Sequence, residues 1–369
     1  MSLSGPAICI DNGSCTTKVG FAGEDHPAAK FGTWVGRSRH KAVIRTGMQQ
    51  SEYIGSNAQE LRGILRLNWP ISRGRVTNWD DLTLIWNHII NHELDIASLE
   101  DHPLVLVEPA LTPKADRMRA AEILFEGLGV SSVLFPPQGV LSLLATGKTT
   151  GLAVDVGYGS TTAVPVVHGF AADPMIVKTD VGGVDAQMYL QYLMRSSGSY
   201  GLQTTTELEA TRSILEHVTA VRLNEQTPAG PVDYTLPDGS IVTMKGSERT
   251  GCWEPLFDPT LIGKDVPGVP TVIHEAVQRA PMIDRPDLCK NIVLSGGCAL
   301  APGMASRVLN DYAALAPASL ELGMQCPANA DVLDWVGASI VSELSTFQSA
   351  MVSRHQFHED HKAVYVSDL

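Results

Sequence analysis

Two segments of the chain each place an acid at the end of a short apolar run and follow it with a turn that contains glycine. Asp11 ends the first run and Gly13 lies in its turn, whereas Asp155 ends the second run, whose turn contains Gly157 and Gly159. A tight turn of small residues directs successive backbone N–H groups at a phosphate, because no bulky side chain blocks the approach. The repeated pattern therefore predicts two related half-domains whose hairpins face one phosphate ligand.

Charged side chains beside these turns suggest how the charge of such a ligand is balanced. Lys18 follows the first turn and offers a positive charge to the same anion. Asp11 and Asp155 repel a bare phosphate, but they suit a hydrated Mg²⁺, which uses few carboxylates and keeps its waters. Either hairpin alone is more simply interpreted as an ordinary β-hairpin with an acid at a strand end. The prediction of a phosphate clamp therefore depends on the occurrence of the same pattern twice in the chain.

A third glycine pair follows the apolar run 291–294. Gly296 and Gly297 would let the backbone approach a nucleoside closely, because neither carries a side chain. Taken alone, two glycines after a strand more often form a plain turn.

Helices and further strands must position these turns. Asn78 is a favourable N-cap, and apolar residues from Leu82 onward recur at the i, i+3, i+4, i+7, i+8 spacing of an amphipathic helix. A second helix is predicted over 116–127, and Asp238-Gly239 between apolar runs predicts a β-hairpin. Strands mixed with helices in this way predict an α/β protein.

Length, charge and composition exclude several classes of protein. A chain of 369 residues exceeds what one hydrophobic core usually serves, so two large domains are expected. The formal net charge of −13 argues against nucleic-acid binding, which needs a basic surface. No apolar run approaches the roughly 20 residues of a membrane span, so no membrane insertion is expected. The N-terminus has no secretory pattern, and the six cysteines lack C-x-x-C spacing, so an intracellular protein with reduced thiols is expected.

Segments along the whole chain, the first hairpin turn included, resemble the actin family. They occur in the order found in actins and lie at 11–14, 20–23, 35–40, 62–65, 76–81, 139–143, 236–239, 293–297 and 345–348. The resemblance implies the actin-like ATPase fold, an α/β fold with two ribonuclease-H-like halves in four subdomains around a nucleotide cleft.

The subdomain boundaries follow from the same resemblance. They assign 1–32, 70–144 and 333–369 to subdomain 1, and 33–69, with its insertion loop, to subdomain 2. Subdomain 3 is expected over 145–181 and 270–332, and subdomain 4 over 182–269.

The resemblance also implies roles for particular residues around ATP or ADP with Mg²⁺. Asp11 and Asp155 would hold Mg²⁺ through its waters, and Gln138 would orient the attacking water. The residues implied in nucleotide binding are Gly13, Ser14, Cys15, Lys18, Gly157, Tyr158, Gly159, Gly182, Glu216, Gly296 and Gly297.

Departures from the family pattern predict slow hydrolysis. Thr162 replaces the histidine that helps to organise the water in actins, Tyr158 replaces an acid, and Cys15 replaces a glycine. The resemblance therefore implies at most a weak ATPase.

The function implied is that of an actin-like cytoskeletal protein, a filament subunit or a fixed subunit of a larger assembly of the dynactin or axonemal dynein type. A chromatin-remodeller subunit and a small-molecule kinase of the same superfold are the alternatives. The expected partners are other actin-like subunits or a motor complex. The expected location is the cytoplasm and cytoskeleton, including the ciliary axoneme, rather than the nucleus.

Two features bear on assembly. A partner segment is expected in an apolar groove near Leu144, Thr149, Phe170 and Leu344. Poor self-assembly is expected because Arg45 interrupts the apolar tip of the insertion loop, and because Lys264 and Asp265 bring charge into the family's hydrophobic plug.

Overall fold

The computed structural model describes residues 5–38, 51–96, 98–198, 205–223, 230–236, 239 and 241–365, with the backbone alone for 205–208. Arg45 of the insertion loop and Asp238 of the predicted hairpin turn lie outside the described residues.

Nineteen strands occur within these ranges. They are β1 (Ile8–Asn12), β2 (Thr16–Phe21), β3 (Ala29–Gly32), β4 (Val35–Ser38), β5 (Glu52–Ile54), β6 (Leu65–Asn68), β7 (Ile71–Ser72), β8 (Arg75–Val76), β9 (Leu104–Leu106), β10 (Ser132–Leu134), β11 (Gly151–Val156), β12 (Thr161–Val167), β13 (Phe170–Ala171), β14 (Val177–Thr179), β15 (Val232–Thr235), β16 (Ile241–Met244), β17 (Ile292–Ser295), β18 (Met324–Gln325) and β19 (Val352–Ser353).

Thirteen α-helices occur in the same described part of the chain. They are α1 (Gly55–Glu60), α2 (Trp79–His88), α3 (Lys114–Glu122), α4 (Gln138–Leu144), α5 (Gly183–Ser196), α6 (Thr205–Val218), α7 (Gly246–Gly251), α8 (Val269–Arg279), α9 (Arg285–Lys290), α10 (Met304–Leu315), α11 (Leu333–Ser342), α12 (Phe347–Ala350) and α13 (Arg354–Glu359). None of the described helices is long and apolar enough to cross a membrane.

The first large sheet has the strand order β19-β10-β9-β1-β2-β3. β1 is parallel to β9 and β9 to β10, whereas β1 and β2 form an antiparallel hairpin. Side chains of β1 alternate between the two faces: Ile8 and Ile10 join a core cluster with Trp86 of α2, and Cys9 joins a second with Trp335 of α11. The sheet therefore has packed helices on both faces.

The second large sheet has the order β13-β12-β11-β17-β18, and β14 also pairs with β12. β17 is parallel to β18, and β12 is antiparallel to β13 and to β14. Smaller sheets are β5-β4-β6, β7-β8 and β15-β16. The last of these confirms the hairpin that the sequence predicts on either side of Gly239.

The start of a helix agrees with the start predicted from the sequence where a capping residue marks it. Asn78 caps α2, because its side chain accepts a hydrogen bond from the backbone N–H of Asp81. The helix predicted over 116–127 begins two residues earlier, at Lys114 after Pro113, and its last turn, Ile123–Gly127, is π-helical.

The chain forms two compact units, which are described separately below. Unit 1 comprises Met1–Ala153, Val164–Ile176 and Val332–Leu369. Unit 2 comprises Val154–Ala163 and Val177–Asp331. Each unit contains one of the two hairpin turns that the sequence singles out.

Candidate functional site

The first hairpin turn, in unit 1, joins β1 to β2. The N–H of Gly13 donates to the carbonyl oxygen of Thr16 at 3.0 Å, which closes a two-residue loop of Ser14 and Cys15. A Cβ on Gly13 would lie 2.8 Å from that same oxygen, so the turn requires glycine here. The sequence prediction of a tight turn is confirmed.

Asp11 and Lys18 lie directly opposite each other on β1 and β2. The Nζ of Lys18 is 2.8 Å from Oδ2 of Asp11, and both side chains are about nine-tenths buried. This ion pair fixes the Lys18 ammonium group at the base of the loop.

Neighbouring segments fix the two loop residues. The hydroxyl of Ser14 accepts a hydrogen bond from the N–H of Gly74 at 3.1 Å, in the turn between β7 and β8. The carbonyl of Cys15 accepts from the N–H of Thr33 at 2.9 Å. Because both loop residues are tied to other segments, the turn is preorganised.

The second hairpin turn, between β11 and β12, closes in the same way. The N–H of Gly157 donates to the carbonyl oxygen of Ser160 at 3.0 Å, the distance found in the first turn, and encloses Tyr158 and Gly159. The internal repeat that the sequence suggests is therefore a structural repeat of two matched hairpins.

The start of α5 supports this second loop. The N–H groups of Gly183 and Val184 donate to the carbonyls of Gly157 and Tyr158 at 3.0 and 2.8 Å. Gly182 must lack a side chain, because a Cβ there would lie 2.7 Å from both carbonyl oxygens. The structure thus places Gly182 against the second loop.

Tyr158, which stands where actins have an acid, points its side chain at α5. Its hydroxyl donates to Oε1 of Gln187 at 2.7 Å, and its ring lies against Gly183. The thiol of Cys298 donates to the carbonyl of Gly157 at 3.4 Å. Neither Gln187 nor Cys298 was found from the sequence, although Gln187 lies at i+4 from Gly183 and so shares its helix face.

The glycine pair after β17 divides into two different roles. Gly296 has φ +89° and ψ 158°, a conformation that other residues rarely adopt, and a Cβ there would lie 2.5 Å from Oδ1 of Asp155. Gly297 has no such constraint, because a Cβ on it would meet nothing within 4 Å. The structure places Gly296 against Asp155 and leaves open space in front of Gly297.

Gln138 is the first residue of α4 and lies at the carboxyl edge of the first sheet. The N–H of Val107 donates to the carbonyl of Ile10, and the N–H of Gln138 donates to the carbonyl of Glu108, both at 2.9 Å. Because β1, β9 and β10 are parallel, their carboxyl ends meet at this edge, where α/β proteins bind ligands. Asp11, the first loop and Gln138 therefore share one edge of unit 1.

The side chain of Gln138 is also anchored. Its Nε2 donates to Oδ2 of Asp334, on α11, at 2.8 Å. Asp334 is a buried carboxylate that was not found from the sequence, since nothing local marks it.

Two further residues that the resemblance singles out are Thr162 and Glu216. Thr162 is buried on β12, opposite Lys178 of β14. Glu216 lies near the end of α6, about half exposed, and pairs with Arg212 at 2.8 Å.

Two fully buried cysteines, Cys9 and Cys252, have thiols of low reactivity. Burial raises the pKa of the Cys9 thiol to about 12, and burial does the same for Cys252. A thiol with such a pKa stays protonated near neutral pH, and the protonated form is a poor nucleophile.

One carboxylate lies beside each hairpin turn, Asp11 in unit 1 and Asp155 in unit 2. Among the described residues, no group of three or more His, Cys, Asp or Glu side chains could hold a metal ion directly. Mg²⁺ commonly keeps several waters and uses one or two carboxylates with substrate phosphates. Asp11 and Asp155 could each supply one such carboxylate.

Two matched hairpin turns, each at the end of a strand in a helix-covered sheet, define a protein with the actin-like ATPase fold. The sequence model of the family described as Actin matches residues 2–367. The chain is also similar to a Neurospora crassa protein named "Actin-like protein", with 40% identity over 371 residues that cover 97% of each chain. The chain therefore belongs to the actin family.

Membership has general consequences. Proteins of this family usually bind a nucleotide with a divalent cation, and actin-like proteins generally assemble with other subunits.

Proposed function

We propose that this protein is an actin-like subunit that binds ATP or ADP with Mg²⁺, hydrolyses ATP slowly, and serves in a filament or as a fixed part of a larger cytoskeletal assembly. The observation that carries the proposal is the pair of hairpin turns closed by equal 3.0 Å hydrogen bonds at Gly13 and Gly157. Dynactin-type and axonemal dynein-associated assemblies in the cytoplasm or ciliary axoneme are the proposed settings.

The nucleotide would be held by backbone groups of the two turns and by a small number of charged groups. Lys18 would face the phosphates while remaining paired with Asp11, so the pair contributes a fixed cation without burying a lone charge. Mg²⁺, held through its waters by Asp11 and Asp155, would neutralise phosphate charge. The residues proposed to contact the nucleotide are Gly13, Ser14, Cys15, Lys18, Gly157, Tyr158, Gly159, Gly182, Glu216, Gly296 and Gly297.

Slow hydrolysis follows from what surrounds the proposed water-orienting group. Gln138 keeps its place at the start of α4 and can accept a hydrogen bond from water. Thr162 is shorter than the family's histidine, and Tyr158 is turned towards Gln187. Loss of one positioned group typically lowers a catalysed rate by about 10² or more.

The assembly role is supported by exposed apolar side chains in unit 1. Phe170 is 62% exposed and Leu344 is 48% exposed, while Thr149 accepts a hydrogen bond from Gly169 beside Phe170. With Leu144 they would form the groove that takes a partner's helix or loop through apolar anchors.

The segment that contains Lys264 and Asp265, which corresponds to the family's hydrophobic plug, does not favour strong self-assembly. Nζ of Lys264 contacts Oδ1 of Asp185 at 2.9 Å and the carbonyl of Asp180 at 2.6 Å, so the plug is tied to its own chain. Releasing it to reach another subunit would leave the buried Asp185 without this cation, which is costly. We expect short filaments or a fixed stoichiometry. The four-subdomain division given above remains part of this proposal.

The test of nucleotide binding is a titration of the purified protein with a fluorescent ATP analogue and Mg²⁺. The double variant Asp11→Asn with Lys18→Met removes the ion pair without leaving either charge alone, and affinity should fall at least about tenfold, since one charge-assisted contact contributes about 1.5–3 kcal/mol. Lys30→Met is the matched control, because Lys30 lies opposite Lys18 on β3 and is exposed. Equal affinity of the double variant and the control would contradict the proposal.

A further inference from the structure

We infer that Asp334 is a positioning residue for Gln138: its carboxylate holds the amide nitrogen and thereby presents the amide oxygen as the acceptor for water. This inference rests on the proposed function, in which Gln138 orients the attacking water. It concerns residues of unit 1 alone.

The chemistry of the contact fixes which way the amide points. The group of Gln138 that faces the Asp334 carboxyl group is the amide NH₂, which only donates hydrogen bonds. The distance of 2.8 Å from Nε2 to Oδ2 is that of a well-formed hydrogen bond. Oε1 of Gln138 is then directed away from Asp334, and it is the acceptor that a water needs.

Asp334 is itself held rigidly. Its other oxygen, Oδ1, accepts a hydrogen bond from the hydroxyl of Ser142, one turn along α4 from Gln138. Asp334 is 6% exposed and Ser142 is fully buried. One carboxylate therefore joins two successive turns of the same face of α4.

Close packing of α4 on α11 makes this contact possible. A Cβ on Gly337 would lie only 2.2 Å from the carbonyl oxygen of Leu141, so glycine is required where the helices meet. On the residue next to Asp334, the indole N–H of Trp335 donates to the carbonyl of Cys9 at 3.0 Å. Thus α11 links the strand that carries Asp11 to the helix that begins with Gln138.

Both ends of Gln138 are consequently fixed, its backbone by Glu108 and its side chain by Asp334. A glutamine has three side-chain torsions, and a freely rotating amide would seldom offer its oxygen in one direction. Displacement of a positioning group by about 1 Å can lower a rate by about 10²-fold. The hydrogen bond from Gln138 to Asp334 should therefore affect the rate of hydrolysis.

The activity test compares single-turnover phosphate release by the full chain loaded with ATP and Mg²⁺. Asp334→Ala should lower the rate about tenfold, with the nucleotide Kd changed by less than about twofold, since Asp334 acts on the water rather than on nucleotide binding. Asp334→Asn should keep most of the rate, because its Oδ1 can accept from Gln138. Ser142 can adapt to the asparagine by turning its proton to the carbonyl of Gln138, 3.2 Å away.

The matched control is Ser339→Ala, on the same helix. The Ser339 hydroxyl accepts from the N–H of Gly23 and donates to the carbonyl of Glu24, both at 3.0 Å, so its loss weakens α11 packing without touching Gln138. Its rate should equal that of the wild type. An unchanged or raised rate in Asp334→Ala, or an equal loss in Ser339→Ala or Asp334→Asn, overturns the inference.

A second readout needs no hydrolysis. In protein labelled with ¹⁵N at glutamine side chains, the Gln138 amide protons, assigned by their loss in Gln138→Glu, should exchange slowly with water. Exchange should become fast in Asp334→Ala. Fast exchange in the wild type overturns the inference even where the variant does not fold. If the wild type neither binds nor cleaves ATP, the proposed function fails, and slow exchange alone then shows the anchored amide.

Discussion

Alanine substitutions at the two adjacent glycines after β17 should have opposite effects, because their surroundings differ. In Gly296→Ala the new side chain meets Oδ1 of Asp155 and the carbonyl of Val156, each at 2.5 Å, from a backbone at φ +89°. Such a backbone costs about 1–3 kcal/mol for a non-glycine residue, and overpacking adds about 1–3 kcal/mol. We expect Gly296→Ala to lower the free energy of unfolding by about 2–6 kcal/mol.

Gly297→Ala is the matched control for stability. Its new methyl group meets nothing within 4 Å, so the free energy of unfolding should change by less than about 0.5 kcal/mol. The same methyl group would enter the space assigned to the nucleoside. Overpacking of about 1–3 kcal/mol there corresponds to about a 5- to 150-fold weaker Kd for ATP.

The assay is urea unfolding at several ATP concentrations, extrapolated to zero ATP, because a bound ligand adds its own stabilisation. Kd is measured separately by titration. If Gly296→Ala is as stable as Gly297→Ala, the reasoning about the site's backbone is refuted. If Gly297→Ala binds ATP as tightly as the wild type, the placement of the nucleoside is refuted.

Four further outcomes are expected. Burial raises the pKa of Cys9 and of Cys252 to about 12, so iodoacetamide at pH 8 should leave both unlabelled in the native protein, and their labelling would contradict their burial. The pKa of both thiols is higher in the folded state than in the unfolded state. The stabilisation that results is therefore complete below about pH 9 and is lost as the pH rises towards about 12. Urea unfolding at a series of pH values measures this loss. The double variant Thr162→His with Tyr158→Asp should raise the rate of phosphate release about tenfold or more. The control Thr162→Val should leave that rate unchanged. Equal rates in the wild type, the double variant and the control would contradict the proposed effect of Thr162 and Tyr158 on hydrolysis. Sedimentation in Mg-ATP and salt should leave the purified protein in the supernatant, and long filaments at micromolar concentration would contradict weak self-assembly.

The hairpins were predictable because their signals are local. An apolar run, an acid and a glycine turn occupy about ten consecutive residues, and the structure forms both turns with the same closing hydrogen bond at Gly13 and Gly157. The cap at Asn78 was predictable for the same reason.

The anchors of the site were not predictable, because packing between distant segments creates them. Asp334 lies 196 residues from Gln138, and only the close approach of α11 to α4 at Gly337 brings the two together. The turn of Tyr158 towards Gln187 depends likewise on where α5 begins. A sequence pattern records the residue types of such contacts but not the helix packing that selects them.

We propose that the two hairpin turns together hold one adenine nucleotide with Mg²⁺. Rapidly purified native protein should be denatured, its released small molecules separated by chromatography, and magnesium measured in the same sample. We expect close to one ATP or ADP and one magnesium per chain, with loss of both in the Asp11→Asn, Lys18→Met double variant and retention in Lys30→Met. Native protein that is folded and carries no nucleotide would contradict it.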